Sequence, residues 1–290
     1  MIGLQTLQQR YPPGEARALY ELIMERRFGL SRTDLLLGKD TTLSANDKAE
    51  LQIIVERVSK GEPVQYVLGS EEFCGRMFFV GPGVLVPRPE TQQLVQLVRE
   101  HVAPGSKVLD IGTGSGCIAI TLALAGYDVS AIDVSEEALA YARRNAESLG
   151  AEVEFRKEDI MIMKSEELRT KNKSNSDFSL FTFHSSLSCI VSNPPYVCEK
   201  EASGMDDNVL LHEPHIALFV PDDDPLLFYR AIADYGLRHL MEDGWLFFET
   251  NRAYCRLVGK LLEGKGYVNV KTIKDEFDND RFVCARRKAL

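Results

Sequence analysis

The chain has 290 residues, 44% of them hydrophobic and 27% charged, which is ordinary for a globular protein and enough for one or two cored domains. A formal net charge of −9 excludes the overall basic footprint of a duplex DNA binder. Six cysteines (Cys74, Cys117, Cys189, Cys198, Cys255 and Cys284) without a Cys-x-x-Cys pair argue against a disulfide scaffold and a thiolate zinc site. The first 80 residues are nearly balanced, with 11 acidic and 10 basic side chains, so most of the excess acid lies beyond them. Residues 1–11 lack the basic-then-apolar order of a signal peptide, and no run approaches the ~20 apolar residues that span a bilayer. A cytoplasmic location without membrane contact is the expectation.

In chain order, residues 1–72 read as a small helical domain. After Pro12-Pro13-Gly14 as a start signal, Ala16, Leu19, Tyr20, Leu22 and Ile23 fall on one helical face. Ser44 with Asp47 resembles a capping box, Leu51, Ile54, Val55 and Val58 follow on one stripe, and Gly61 and Pro63 stop the helix. No catalytic constellation lies here. Residues 73–80, then Gly81-Pro82-Gly83, then Val84-Leu85-Val86 predict a β-hairpin linker over 73–87.

From residue 88 to 290 the pattern alternates. A helix around Leu94, Val95, Leu97 and Val98 precedes strands over 107–111 and 129–132, helices over 117–124 and 136–149, and a third strand from 153. Such alternation predicts a doubly wound α/β fold, with a mostly parallel sheet and helices on both faces. Residues 164–186 interrupt it, and the run Lys171-Asn172-Lys173-Ser174-Asn175-Ser176 predicts a mobile surface insertion. A buried strand over 187–191 follows, then an irregular stretch to 224. A helix over 225–241, a strand over 245–248 and a helix over 252–264 come next. Strands over 268–273 and 282–285, joined through Asp278-Asn279-Asp280, predict a closing antiparallel pair.

Two stretches carry chemistry. Asp110-Ile111-Gly112-Thr113-Gly114-Ser115-Gly116 sits where the first strand of the alternation turns into a helix, and its glycines allow positive φ and close approach of a ligand. A dinucleotide fingerprint needs Gly or Ala at the next spaced position, which is Cys117 here, so a nucleoside ligand without pyrophosphate fits better. Asp133 ends the second strand, where a carboxylate can accept ribose hydroxyls or favour the following helix N-terminus. Glu158-Asp159 ends the third strand as a candidate contact for an adenine amine or as a solvated acidic turn. The second stretch is Ser192-Asn193-Pro194-Pro195-Tyr196, after the buried strand. Its two prolines stiffen the backbone, Asn193 offers a donor and an acceptor, and Tyr196 offers a flat ring, a set suited to gripping a planar nitrogen.

Asp110 to Gly116, Asp133 and Asn193-Pro194-Pro195-Tyr196 resemble motifs of class I S-adenosylmethionine-dependent methyltransferases acting on planar exocyclic nitrogens. Glu62-Pro63-Val64-Gln65-Tyr66-Val67-Leu68-Gly69, Val84-Leu85-Val86-Pro87-Arg88-Pro89-Glu90-Thr91, Glu213-Pro214 and Asp278-Asn279-Asp280-Arg281 further resemble the HemK/PrmC family. That resemblance implies methylation of the glutamine side-chain amide in the Gly-Gly-Gln loop of peptide chain release factors, with the helical domain helping to dock the factor. It implies a cofactor site of Gly112, Thr113, Gly114, Ser115, Gly116, Asp133, Asp159, Ile160 and Asn193, and a catalytic clamp of Asn193, Pro194, Pro195 and Tyr196. It departs from the family at Gln92, where an acid usually stands, and at Ile160, where many members carry an aromatic residue against the adenine. The expected mechanism has the Asn193 side-chain oxygen and the Pro194 carbonyl accept the two amide N–H bonds, with no dedicated base.

The alternatives are an adenine methyltransferase on DNA or RNA, and a non-catalytic cofactor-binding scaffold. The acidic charge disfavours the first and the intact motifs disfavour the second. His212-Glu213-Pro214-His215 has the look of a metal pair, but Pro214 breaks helical spacing and no third ligand is evident, so no metal is expected. Cys117 at a helix start reads as a small buried residue, and Glu249 ends a strand at the edge where a site acid would sit. A monomer without direct nucleic-acid contact is the expectation for partners beyond the release factor.

Overall fold

Caps and apolar spacing shape the N-terminal helices. The computed structural model describes residues 2–162 and 187–289, so the insertion expected at 164–186 lies outside the described residues. The chain begins with α1 (Ile2–Leu7), α2 (Pro13–Phe28), α3 (Arg32–Leu36), α4 (Ala45–Ser59) and α5 (Val64–Leu68). Pro13 opens α2 where its missing N–H costs nothing, and Gly29 closes it in the left-handed region at φ 66°. Ser44 caps α4 by accepting the Asp47 N–H at 3.1 Å. The two expected stripes meet: Ala16, Tyr20 and Ile23 pack with Leu51, Ile54, Val55 and Val58 in one buried core, and Leu19 and Leu22 flank it.

The hairpin lies earlier than the sequence suggests. Strands β1 (Ser70–Phe73) and β2 (Arg76–Phe79) pair antiparallel around Cys74 and Gly75, whose φ values are 50° and 72°. Two successive positive φ angles make the mirror-image turn that matches strand twist. Gly81-Pro82-Gly83, taken as the turn, instead leads residues 84–86 past the sheet without strand pairing. Val84 and Val86 are buried there, and the Tyr66 hydroxyl donates to the Val84 carbonyl.

Beyond the linker, α6 (Pro89–His101), β3 (Lys107–Ile111), α7 (Cys117–Leu124), β4 (Asp128–Asp133), α8 (Glu136–Leu149) and β5 (Glu154–Lys157) follow the expected alternation. After β6 (Leu187–Ser192), the stretch expected to be irregular holds β7 (Val197–Cys198), α9 (Asp207–His212), α10 (His215–Leu218) and β8 (Phe219–Val220). Then come α11 (Leu227–His239), β9 (Leu240–Glu249), α12 (Cys255–Gly264), β10 (Val268–Lys274) and β11 (Asp280–Arg286).

Among the described residues the main sheet has seven strands in the order β10-β11-β9-β6-β3-β4-β5. The neighbours from β9 to β5 run parallel, and β11 runs antiparallel to both β9 and β10. This is the expected doubly wound sheet with an antiparallel closing strand. Alternation along the strands feeds two cores. Val108, Cys189, Val191 and Phe247 face α6 and α7, while Leu109, Ile190, Leu246 and Phe248 face α11 and α12. The chain moves outward from β3 through β4 to β5, then returns to place β6 on the other side of β3. The order therefore reverses between β3 and β6, whose carboxyl ends meet at the pair Ile111 and Ser192. Ligands of open α/β sheets bind at such a reversal.

Candidate active site

Both chemistry-bearing stretches leave the sheet at that reversal. In the glycine loop, the Gly112 and Thr113 N–H groups donate to the Ile132 carbonyl at 2.9 and 3.1 Å, which folds the loop toward β4. Gly112, Gly114 and Gly116 all take positive φ, at 74°, 56° and 81°. They do different jobs. A Cβ on Gly112 or Gly114 would point into open space, whereas one on Gly116 would meet Ile120 Cδ1 at 2.9 Å and Ala142 Cβ at 3.1 Å. Gly116 thus lets α7 pack on α8, and Gly112 and Gly114 leave room for a ligand against the backbone.

Thr113 and Ser115, also expected at a cofactor, are buried behind the loop. Thr113 Oγ1 donates to Asp110 Oδ2 at 2.7 Å, and Asp110 Oδ1 is buried without a partner. Burial pushes the Asp110 carboxyl up to about 7, against the pull of the Thr113 hydrogen bond. Asp133 Oδ2 accepts the Gly114 N–H and Oδ1 the Ser135 N–H, both at 2.9 Å. Asp133 therefore fixes the loop that it faces. Burial raises its pKa, and the backbone N–H donors oppose that rise.

A cavity of about 240 Å³ opens over these residues. Gly112, Gly114, Asp133, Asp159, Ile160 and Asn193 line it, so six of the nine expected cofactor residues meet at one cavity. Glu158 lines it too, with a buried Oε2 lacking a partner. Asp159 Oδ1 accepts the Met161 N–H at 2.8 Å. The open space at the two glycines and the polar atoms aimed around an apolar lining fit a nucleoside with a flat base. Val84 and Leu85 from the linker close one side, and Pro214 and Ile216 another.

A second cavity of about 290 Å³ adjoins the first and is lined by Arg88, Tyr196, Met205 and Leu218 among others. Asn193, Leu85 and Ala217 line both. Asn193 is thus the polar group at the wall between the two spaces. Ser192 Oγ anchors its strand end by donating to the Ile111 carbonyl at 2.6 Å. Burial, reinforced by Glu249, holds the Tyr196 phenol protonated.

The stretches that carried the family resemblance converge behind this wall. Thr91 Oγ1 donates to Glu249 Oε2 at 2.8 Å and accepts from Asn193 Nδ2 at 3.3 Å. The Tyr196 hydroxyl lies 3.5 Å from Glu249 Oε1. Glu249 is 1% exposed, and burial pushes it up to about 7, opposed by Thr91 and Arg281. Gln92 accepts the Cys74 N–H at 3.2 Å and so supports the hairpin turn. Within His212-Glu213-Pro214-His215, read above for metal, Glu213 binds Arg88 and Val86, and His215 lies 3.1 Å from Glu199 while stacking on Phe219. Thr91 and Leu85 were not singled out as site residues from sequence. Both lie in the Val84-to-Thr91 stretch, which was the available signal.

A doubly wound sheet with this reversal, a glycine cradle and an acid on the next strand defines a methyltransferase of the class I type. Residues 103–200 match the family described as "Methyltransferase domain", and residues 3–69 the "PrmC N-terminal domain". A crystallised methyltransferase from Pyrococcus furiosus shares the fold, with a TM-score of 0.51 and 19% identity, covering 85% of this chain and 100% of that one. The release factor glutamine methyltransferase of Bacteroides thetaiotaomicron is 47% identical over 98% of this chain and 97% of its own length. That of Flavobacterium psychrophilum is 38% identical over 97% and 95%. The chain belongs to the release factor glutamine methyltransferase family.

Proposed function

We propose that the chain transfers a methyl group from S-adenosylmethionine to the side-chain amide nitrogen of the glutamine in the Gly-Gly-Gln motif of peptide chain release factors. The observation that carries this reading is Asn193 standing between a nucleoside-sized cavity and a second cavity, on a backbone stiffened by Pro194 and Pro195. Its relatives' names supply the substrate class.

S-adenosylmethionine, when bound, supplies an electrophilic methyl on a sulfonium. Asp133 would hold the ribose hydroxyls and Asp159 the adenine amine, with Ile160 against the base and Gly112 and Gly114 giving room for the rest. Thr113, Ser115 and Gly116 keep that loop in shape from behind. An amide nitrogen is a weak nucleophile because its lone pair is delocalised into the carbonyl. Asn193 Oδ1 and the Pro194 carbonyl accept its two N–H bonds, aim the lone pair at the first cavity and offset the positive charge that develops on nitrogen. Pro195 keeps the acceptors fixed, and the Tyr196 ring packs beside the amide. No side chain is needed as a strong base.

The helical N-terminal residues help to seat the large protein substrate. We place the protein in the cytoplasm as a monomer that needs no nucleic acid, the last supported by its net charge of −9. No described helix is long and apolar enough to cross a membrane. The experiment offers labelled methyl donor with a release factor, with the same factor lacking the motif glutamine, and with duplex DNA. Label on the intact factor alone is expected, and label on DNA or on the substituted factor would overturn the reading.

A further inference from the structure

The two acceptors just described work only if the Asn193 amide presents its oxygen, not its nitrogen, to the substrate. An asparagine amide can rotate by half a turn at little intrinsic cost, so something must choose. Thr91 and Glu249 supply the choice. An ionised Glu249 can only accept, so the Thr91 hydroxyl, 2.8 Å away, must donate to it. The Thr91 oxygen is then left only as an acceptor, and Asn193 meets it with Nδ2 at 3.3 Å. Among the described residues no hydrogen bond engages Asn193 Oδ1, which stays available at the wall between the cavities.

We infer that Thr91 and Glu249 are positioning residues that lock the Asn193 amide with its oxygen toward the substrate nitrogen, an inference that rests on the function proposed above. Thr91 is 3% exposed and Glu249 1%, so water does not compete for these bonds. The relay also has a direction. A protonated Glu249 can donate to Thr91, which frees the Thr91 proton to seek the Asn193 oxygen and turns the amide the wrong way round. Burial favours that event and pushes Glu249 up to about 7, and most of the groups that face its carboxylate work against it. Thr91 on α6 and the Tyr196 hydroxyl after β6 donate to its carboxylate, and the Arg281 guanidinium on β11 favours its charge. Glu90, next to Thr91, opposes that charge, Tyr229 on α11 donates to the Glu249 backbone carbonyl at 3.2 Å and not to its carboxylate, and Asp275 lies 3.6 Å behind Arg281.

The test uses Thr91→Val, which keeps the shape and removes the hydroxyl, and Thr91→Ser, which keeps the hydroxyl. For Thr91→Val, kcat on a release factor is expected to fall roughly 10- to 100-fold, while KM for the factor and Kd for S-adenosylmethionine move less than about threefold. Thr91→Ser is expected to recover kcat to within about threefold of the parent, since the relay needs only the hydroxyl. The parent should lose kcat on the acid side as Glu249 takes up a proton, and Thr91→Val should lose that limb because Asn193 no longer senses Glu249. A parental kcat in Thr91→Val, a Ser variant no better than Val, or an unchanged acid limb would each overturn the inference. If Thr91→Val does not fold, Glu249→Gln carries the same reading: a flat acid side supports the relay and a retained limb overturns it. The parent chain is assayed first. No label on its release factor would overturn the proposed function and this inference with it, whereas full label with an indifferent Thr91→Val overturns this inference alone.

Discussion

Glu213 ties Arg88 into the wall of the site: its Oε1 accepts from the Arg88 guanidinium at 2.6 Å, and its Oε2 accepts the Val86 N–H at 3.2 Å. The linker that supplies Val84 and Leu85 to the first cavity is thereby bound to the start of α10, which supplies Pro214 and Ile216. Burial raises the Glu213 pKa, and Arg88 pulls it back. Removing one partner of such a pair leaves the rest desolvated and unpaired. Glu213→Ala is expected to cost roughly 2–4 kcal/mol of stability in chemical denaturation and to weaken S-adenosylmethionine binding in calorimetry. Glu213→Gln keeps an acceptor for Val86 and should lose less. An alanine variant with parental stability and affinity would show that the tie is incidental.

The glycines of the loop should separate under substitution. Gly114→Ala adds a methyl where the cleft is open and costs roughly 1 kcal/mol for its left-handed φ of 56°. Its main effect should be on cofactor affinity. Gly116→Ala drives a methyl into Ile120 and Ala142 and is expected to cost roughly 2–4 kcal/mol of stability. Equal effects of the two variants on both denaturation midpoint and cofactor Kd would contradict this division.

Asp110 makes stability depend on pH. Its pKa rises from 3.8 to about 7 on folding, chiefly by burial. For an acid raised in the folded state, the contribution to stability is complete below the unfolded value and is lost as pH rises through the folded one. The native state should therefore lose stability between about pH 4 and pH 7, by an amount on the order of 4 kcal/mol from this group. Glu249 adds a loss of the same sign in the same range. Asp110→Asn should flatten the dependence in part, leaving the Glu249 share. Denaturation midpoints at pH 5 and pH 8 check it, and identical pH slopes for parent and variant would contradict it.

Much of this was legible in the residues, for physical reasons. The buried strands 107–111 and 187–191 read as apolar runs because a parallel sheet is covered on both faces. Positive-φ glycines and paired prolines marked the two loops at their ends. The hairpin lies earlier because Gly81-Pro82-Gly83 does form a turn, with the Val84 N–H donating to the Gly81 carbonyl at 3.3 Å, but one that joins no paired strands, while the hairpin turn begins at Cys74, a residue type that seldom takes φ 50°. Val84-Leu85-Val86 read as a strand by its side chains, but its apolar residues serve the cavity wall and a buried contact with Tyr66. The relay from Glu249 through Thr91 to Asn193 could not be read from spacing at all. Thr91 and Glu249 are 158 residues apart, and only the packing of α6 against β9 brings them together. Short helices in 199–218 escaped because each is too short for periodicity to show.

The most direct test of the account is the turnover of Asn193→Ala on a release factor, measured beside its affinity for S-adenosylmethionine. If Asn193 grips the substrate amide, kcat should fall by about 1,000-fold or more while the cofactor Kd stays within about threefold of the parent. Retained turnover, or a loss of activity explained by lost cofactor binding, would contradict the assignment of Asn193 as the clamp.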